Sequence, residues 1–346
     1  MATSSKSSSI RKAQVPVSCY FCKGQEIKWK CEDCDVRMCS SCKVSIHQGL
    51  KSAQDHDVVS IQDISKSSPG LQEIKSVVIS SVFNSYTTTL PAVHTILCSD
   101  DDLLHFIYNG KTSDKYQLVK GKLLKSSIKI MQMLKRKISD IAINKDVKTV
   151  LDASPMTLLA IHVNKDNEVI VGIREQGPPF PVQDFSVRQV IIFGSNYQRK
   201  ETLEFDKKGN KLFSYVHRIR TDSRNVVYVI DCLDNDNSGR IVALDRHCRL
   251  KFTYDGQKNL GTFRPEGITI TPSDNIVVAD LPNDALHVIN SKGDLLGLQF
   301  IFKDLGINVP CSLCFDSEGY LLIGCGKEKD EDYGKIHVVK MVDSLV

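Results

Sequence analysis

Nothing in this chain of 346 residues approaches the run of roughly 18 apolar residues that a membrane-crossing helix needs. The first 14 residues are serine-rich, with Lys6, Arg11 and Lys12, and lack the apolar segment of a secretory leader. Residues 1–14 therefore read as a disordered tail. Charge of one sign is also scarce. A formal net charge of +4 argues by itself for neither a nucleic acid nor a membrane partner. Enzyme signatures are missing too: there is no Walker loop, no H-E-x-x-H and no G-x-S-x-G elbow, and Gly194-Ser195 reads as part of a turn. Tryptophan is nearly absent, Trp29 being the one copy.

Cysteine is not scarce. Six of the 12 cysteines fall between 19 and 42, as Cys19-x2-Cys22, Cys31-x2-Cys34 and Cys39-x2-Cys42, and His47 and His56 follow. A C-x2-C step places two thiolates on one tight turn, within reach of a tetrahedral Zn²⁺ at about 2.3 Å. Eight such donors fit two closed four-coordinate sites. A disulfide cluster is the competing reading, and the absence of a secretory leader weighs against it. Residues 23–30 and 35–38 are mostly polar, so metal would supply most of the folding energy of this segment, on the order of 10–16 kcal/mol per structural zinc. Spacing leaves open whether the ligands pair sequentially or cross-brace.

On these residues the segment from about 17 to 61, including the tail His56-Asp57-Val58-Val59, resembles a B-box zinc finger of tripartite-motif proteins. The resemblance implies cross-bracing. Cys19, Cys22, Cys39 and Cys42 would hold one zinc, and Cys31, Cys34, His47 and His56 the other. Cys22 stands where many type-2 B-boxes have histidine, an equally good ligand. The resemblance also sets two expectations. The 18 residues before Cys19 leave no room for a RING, and residues 57–90 show no sustained heptad pattern, so the usual coiled coil would be at most a remnant.

Residues 57–70 read as a polar connector ending in Ser67-Ser68-Pro69-Gly70, and 63–75 as the linker between the two domains. Leu71, Ile74, Val78 and Val82 recur at helical spacing, but Val77-Val78-Ile79 and Thr87-Thr88-Thr89 favour a strand from about Ser76. Beyond 91 the chain becomes short β-rich runs and polar turns. The clearest unit is Arg264-Pro265-Glu266-Gly267-Ile268-Thr269-Ile270, a turn at 272–275, Ile276-Val277-Val278-Ala279-Asp280, a turn at 281–284, then strands at 285–289 and from 295. Similar units begin at 93, 158, 216 and 311, with turns at 99–102, 164–167, 222–225 and 316–319. Four-stranded meanders repeated every 40–60 residues or so indicate propeller blades, because one meander has two apolar faces and must stack on its neighbours. Pro-x-Gly-Ile, a turn, and Ile-Val-Val-Ala-Asp with Asn283 beyond resemble an NHL repeat. That family implies about six blades. Five units are clear, and a shortened sixth is expected at 137–149. The strand near 76–86 is expected to complete the last blade and close the ring. The fold class is thus mainly β: a small zinc-bound B-box finger at 15–62 and an NHL-like β-propeller at 76–346.

Six cysteines remain: Cys98, Cys232, Cys248, Cys311, Cys314 and Cys325. Cys311-x2-Cys314 has the spacing of a metal knuckle but no second pair beside it, so buried strand cysteines in a reducing compartment are the expectation. His94, His105, His162, His217, His247, His287 and His337 fall on or beside strands and read as structural. Asp231, Asp280 and Asn283 are the candidates for an axial calcium of the kind some six-bladed hydrolases hold, with turn capping as the alternative. Lys120, Lys122, Lys125, Lys129, Lys135, Arg136 and Lys137 form the densest basic run. They could meet RNA phosphates, but they lack the aromatic residues that stack bases and read as a solvated strand face. Residues 327–332 read as an exposed loop. The order B-box then propeller resembles tripartite-motif-like proteins of invertebrates such as molluscs. It implies a cytoplasmic, zinc-binding interaction adaptor without catalysis of its own, monomeric or weakly oligomeric, with protein partners and two structural Zn²⁺. RNA binding by the propeller, or membership of a ubiquitin ligase (E3) system, are the alternatives.

Overall fold

The computed structural model describes residues 18–24, 26–31, 36–50, 56, 58–60, 74–88, 90–98, 103–109, 116–123, 128–136, 153–236, 238–245 and 249–346. The chain divides into two compact units, 1–72 and 73–346.

The first unit is small. β1 (Trp29–Cys31) lies between β2 (Val36–Met38) and β3 (Val58–Ser60), antiparallel to both. A single helical turn, α1 (Ser40–Cys42), follows β2 and continues as a π turn over Lys43–His47. Cys19, Cys31, Met38 and Cys42 are the buried side chains at its centre, with Trp29 and Phe21 packed against them. Trp29 Nε1 donates to Ser40 Oγ at 3.1 Å, and Lys43 Nζ lies 3.2 Å from the centre of its ring. The tryptophan thus ties the strand to the helical turn.

The second unit is a propeller of four-stranded antiparallel sheets. β4 (Ile79–Thr87) is set aside by the chain for the last blade. β5 (Thr95–Cys98), β6 (Leu103–Asn109), β7 (Tyr116–Leu123) and β8 (Ile128–Arg136) form the first blade in sequence. β9 (Thr157–Val163), β10 (Val169–Arg174), β11 (Arg188–Phe193) and β12 (Arg199–Leu203) form the second. β13 (Val216–Thr221), β14 (Val227–Cys232), β15 (Gly239–Leu244) and β16 (Leu250–Tyr254) form the third. β17 (Pro265–Ile270), β18 (Ile276–Asp280), β19 (Ala285–Ile289) and β20 (Leu295–Phe300) form the fourth. In the last, β21 (Pro310–Phe315), β22 (Leu321–Cys325) and β23 (Lys335–Met341) are joined by β4 as outermost strand. Five blades are therefore present among the described residues. The shortened blade expected at 137–149 lies outside them.

The first strands pack side by side in the order β9, β13, β17, β21, β5. Among the described residues a separate apolar cluster fills each of four seams between blades. Ile170, Val190 and Leu203 meet Val216, Ile219 and Val229 at one; Tyr228, Ile230 and Ile241 meet Ile268, Ile276 and Val278 at the next. Val277, Leu286 and Val288 meet Leu313, Ile323 and Val339 at the third. Second strands are consequently buried on both faces, as β14, β18 and β22 are along their whole length. This is why Ile-Val-Val-Ala reads as an unbroken apolar run where a one-faced sheet would alternate. Each fully buried Val, Leu or Ile contributes about 1.5–3 kcal/mol.

The turn after each first strand is built the same way four times. Asn164, Asp222 and Asp316 each accept backbone N–H bonds from residues two and four positions on, and Thr271 Oγ1 accepts from Asn275. The fourth turn position is left-handed in every case: Asn167 (φ 58°), Asn225 (φ 60°), Asp274 (φ 64°) and Gly319 (φ 85°). Asn, Asp and Gly tolerate that conformation best.

The strand expected near 76–86 is β4, and its extended backbone pairs with β23 from Ile79↔Met341 to Thr87↔Lys335. The helical spacing of Ile74, Val78 and Val82 therefore does not become a helix. Two N–H groups at its start, those of Val78 and Ile79, donate to Gln299 Oε1 at 2.9 and 2.7 Å.

Arg218 links the first strands of several blades. Its guanidinium donates to Thr95 Oγ1 at 2.9 Å, to Cys311 O at 3.3 Å, and to the carbonyls of His94 and Glu266, so β13 holds β17, β21 and the approach to β5.

Candidate metal centre

The finger's strands and helical turn bring its donors into two groups. Cys19 lies on the amino-terminal loop, where Tyr20 N–H donates to Arg37 O at 2.8 Å and fixes that loop beside β2. Cys22 is three residues further round the same turn. Cys39 and Cys42 flank and end α1. The four sulfurs lie within 4.8 Å of one another. Cys31 ends β1 opposite Val58 of β3, which brings His56 beside it, and His47 reaches the same place from the end of the π turn. The donor atoms of Cys31, His47 and His56 also lie within 4.8 Å of one another. Cys34 lies outside the described residues.

The pairing is interleaved. The first and third C-x2-C steps share one centre, while the second step's Cys31 goes to the histidines. Sequential pairing of the first two steps is not what the structure contains.

The spacing suits zinc. Sulfurs at the corners of a tetrahedron of radius about 2.3 Å sit about 3.8 Å apart. Cys22 Sγ and Cys39 Sγ are 3.8 Å apart. One Cys and one His on a common zinc place S and N about 3.6 Å apart by the same geometry. Cys31 Sγ and His56 Nδ1 are 3.6 Å apart. The electrostatics agree. Burial, together with the neighbouring sulfurs of Cys39, Cys22 and Cys19, pushes the Cys42 thiol up to about 12. At Cys19 burial also pushes upward, but N–H donors from Cys22, Cys39 and Phe21 outweigh it and bring that thiol to about 6. Four thiols in one spot cannot all ionise against each other. A divalent cation among them removes that opposition, which is the chemistry of a structural zinc site with four cysteine ligands. All the described cysteines are free of disulfides.

Residues 14–61 match the B-box zinc finger family. That is the family of this segment. The B-box covers a small part of the chain, and no curated protein matches. Among solved structures, a luciferin-regenerating enzyme is 11% identical over 73% of this chain and 92% of its own, with a TM-score of 0.43. Virginiamycin B lyase from Staphylococcus aureus is 10% identical over 75% of this chain and 99% of its own, with a TM-score of 0.41.

The candidates for an axial calcium are occupied otherwise. Asp231 Oδ1 accepts the N–H groups of Ser214 and Tyr215 at 2.7 and 2.8 Å, and Oδ2 accepts Arg240 Nε at 3.0 Å. Asp280 accepts Arg264 N–H at 3.1 Å and Asn283 Nδ2 at 2.8 Å. Asp280 ends its second strand, Asp231 stands next to last in its own, and each caps the entry to its own blade's first strand. The basic run of 120–136 falls on β7 and β8, apart from Lys125, and Lys122 stands opposite Lys129. Lys125 and Lys137 lie outside the described residues, as do His247 and Cys248. The remaining strand histidines with described side chains are hydrogen-bonded: His162 to Thr221 Oγ1 at 2.8 Å, His217 to Glu266 at 3.1 Å, His287 to Tyr254 OH at 2.7 Å and His337 to Ser85 Oγ at 2.8 Å. Among the described residues no helix is long and apolar enough to cross a membrane.

Proposed function

We propose that this chain is a zinc-dependent protein-interaction adaptor of the tripartite-motif-like type, in which the B-box holds two structural zinc ions and an NHL-like propeller offers a loop face to a protein partner. The observation that carries this reading is the interleaved pair of donor clusters. With Cys34 as fourth ligand of the second centre, each zinc is enclosed by four protein ligands. A closed site has no position for water or substrate, so the metal acts on shape and not on chemistry. The propeller supports the same reading, because His162, His217, His287 and Arg218 are engaged in contacts between blades. A cytoplasmic protein acting as monomer or weak oligomer fits the reading. Participation in a ubiquitin ligase system would then come through a partner.

Elemental analysis of purified protein is the first test: two zinc ions per chain are expected, and Cys31→Ala should lower the count to one with Cys19/Cys22/Cys39/Cys42 still loaded. A count of zero or one in the wild type removes the reading. Affinity capture with the whole chain should then retain a protein partner that zinc chelation, or replacement of propeller loops, releases. Salt-sensitive binding of single-stranded RNA by the whole chain would favour RNA instead.

A further inference from the structure

The propeller's first strands bring together two thiols that lie 216 positions apart in the chain. Cys98 ends β5, and Cys314 is the next-to-last residue of β21. They meet at the seam between the last blade and the β5–β8 blade. The backbone N–H of Cys98 donates to Cys314 Sγ at 3.3 Å, and the two side chains are themselves hydrogen-bonded. Both are half-buried at the edge of the apolar cluster formed by Val93, Ile96, Leu322 and Val338. The seam is tight. A Cβ on Gly324 would come within 2.8 Å of both Ile96 Cδ1 and Val93 Cγ1, so only glycine permits this approach of the two blades.

A positive charge acts on Cys314. Arg220 projects from β13 and donates through Nη1 to Ile219 O at 2.8 Å. Among the described residues no carboxylate pairs with it. The charges of Arg220 and Cys314 act on one another. The hydrogen bond from Cys98 is the largest influence on Cys314, and with Arg220 it outweighs burial and holds the thiol at about 7. Burial pushes Cys232 up to about 12, Cys311 to about 11, and Cys325 upward as well. Both thiols are only half-buried, so a small oxidant reaches them from solvent.

We propose that Cys98 and Cys314 are a hydroperoxide-reactive pair that closes to a disulfide across the blade seam, with the charge of Arg220 acting on the attacking sulfur. Cys314 thiolate attacks the terminal peroxide oxygen. The O–O bond breaks, the leaving alkoxide or hydroxide takes a proton, and Cys314 becomes a sulfenic acid. Cys98 then attacks the Cys314 sulfur, the S–O bond breaks, and water leaves with the proton from Cys98. Two thiols and one hydroperoxide give one disulfide, one alcohol or water, and one further water. The sulfur of the peptide is oxidised and the peroxide is reduced. A thiol reductant reverses the closure by exchange. The product staples the β5–β8 blade to the blade that β4 completes.

The test uses the full-length, zinc-loaded chain treated with equimolar hydrogen peroxide and mapped by peptide mass spectrometry. The expected product is a peptide pair joined through Cys98 and Cys314, two hydrogen atoms lighter than the reduced pair. Cys98→Ser should leave a Cys314 sulfenic acid that dimedone captures, and Arg220→Gln should slow that capture about tenfold. In untreated wild-type protein, iodoacetamide should modify Cys314 at least about tenfold faster than Cys325 at neutral pH. Alkylation of Cys314 no faster than Cys325, or oxidation confined to the zinc-ligand cysteines, overturns the proposal even if a variant fails to fold.

Discussion

Single residues carry the propeller's response to acid. His162 is held neutral by burial, with Arg220 adding to the effect, and its pKa falls to about 3. His337 is lowered to about 4 by burial and by Lys335. The unfolded chain binds a proton at each near 6.5 while the folded propeller does not. Stability from these two groups is therefore complete above about pH 6.5 and is lost as pH falls towards 4. The expected loss is about 1 kcal/mol per histidine at pH 5.5. Thermal melts of the propeller transition between pH 7.5 and 5.5 should fall in Tm, and the pair His162→Asn, His337→Asn should flatten that slope. A slope that is unchanged in the pair would remove this account. Arg218 is the other decisive side chain. Arg218→Ala strips one guanidinium from acceptors on three blades, and a loss of about 3–5 kcal/mol in denaturant unfolding is expected.

At the scale of elements, β4 is the piece that joins the two ends of the propeller sequence in one sheet. Its entry rests on Gln299, whose Oε1 satisfies two buried N–H groups at once. Gln299→Leu keeps the volume but leaves both donors without an acceptor, at about 1–3 kcal/mol each. Hydrogen exchange should show the amides of Val78 and Ile79 losing protection first, ahead of β22. If their protection survives the substitution, Gln299 is not what holds the strand. The blade turns follow a parallel logic. Asn225 stands in the left-handed region and offers Nδ2 to Asp166 of the neighbouring blade at 2.5 Å. Asn225→Val should combine backbone strain with a lost contact between blades, a cost of about 1–3 kcal/mol in chemical denaturation.

For the whole molecule, two compact units imply two unfolding events. The B-box has four buried apolar or sulfur side chains at its centre, and the propeller has a filled cluster at four of its described seams. A chelator should therefore abolish the finger's transition in calorimetry and leave the propeller's in place. A single transition lost as one on chelation would show that the propeller also depends on metal.

The seven donors that the structure groups were legible as candidates because three C-x2-C steps and two histidines have few other uses in so polar a segment. The blades were legible because a meander buried on both faces leaves unbroken apolar second strands, and because Asn, Asp or Gly must stand at each left-handed turn position. Residue order could not say which thiols share a centre. That followed from β1 pairing with both β2 and β3, which carries Cys31 to His56 and leaves Cys39 and Cys42 for Cys19 and Cys22. Nor could it disclose Arg218, an ordinary basic residue in a strand, or that Cys314, read as a buried strand cysteine, stands against Cys98. Local chemistry fixes a turn or a ligand pair within a few residues. Contacts around an axis join residues hundreds of positions apart, and only the packed blades decide them.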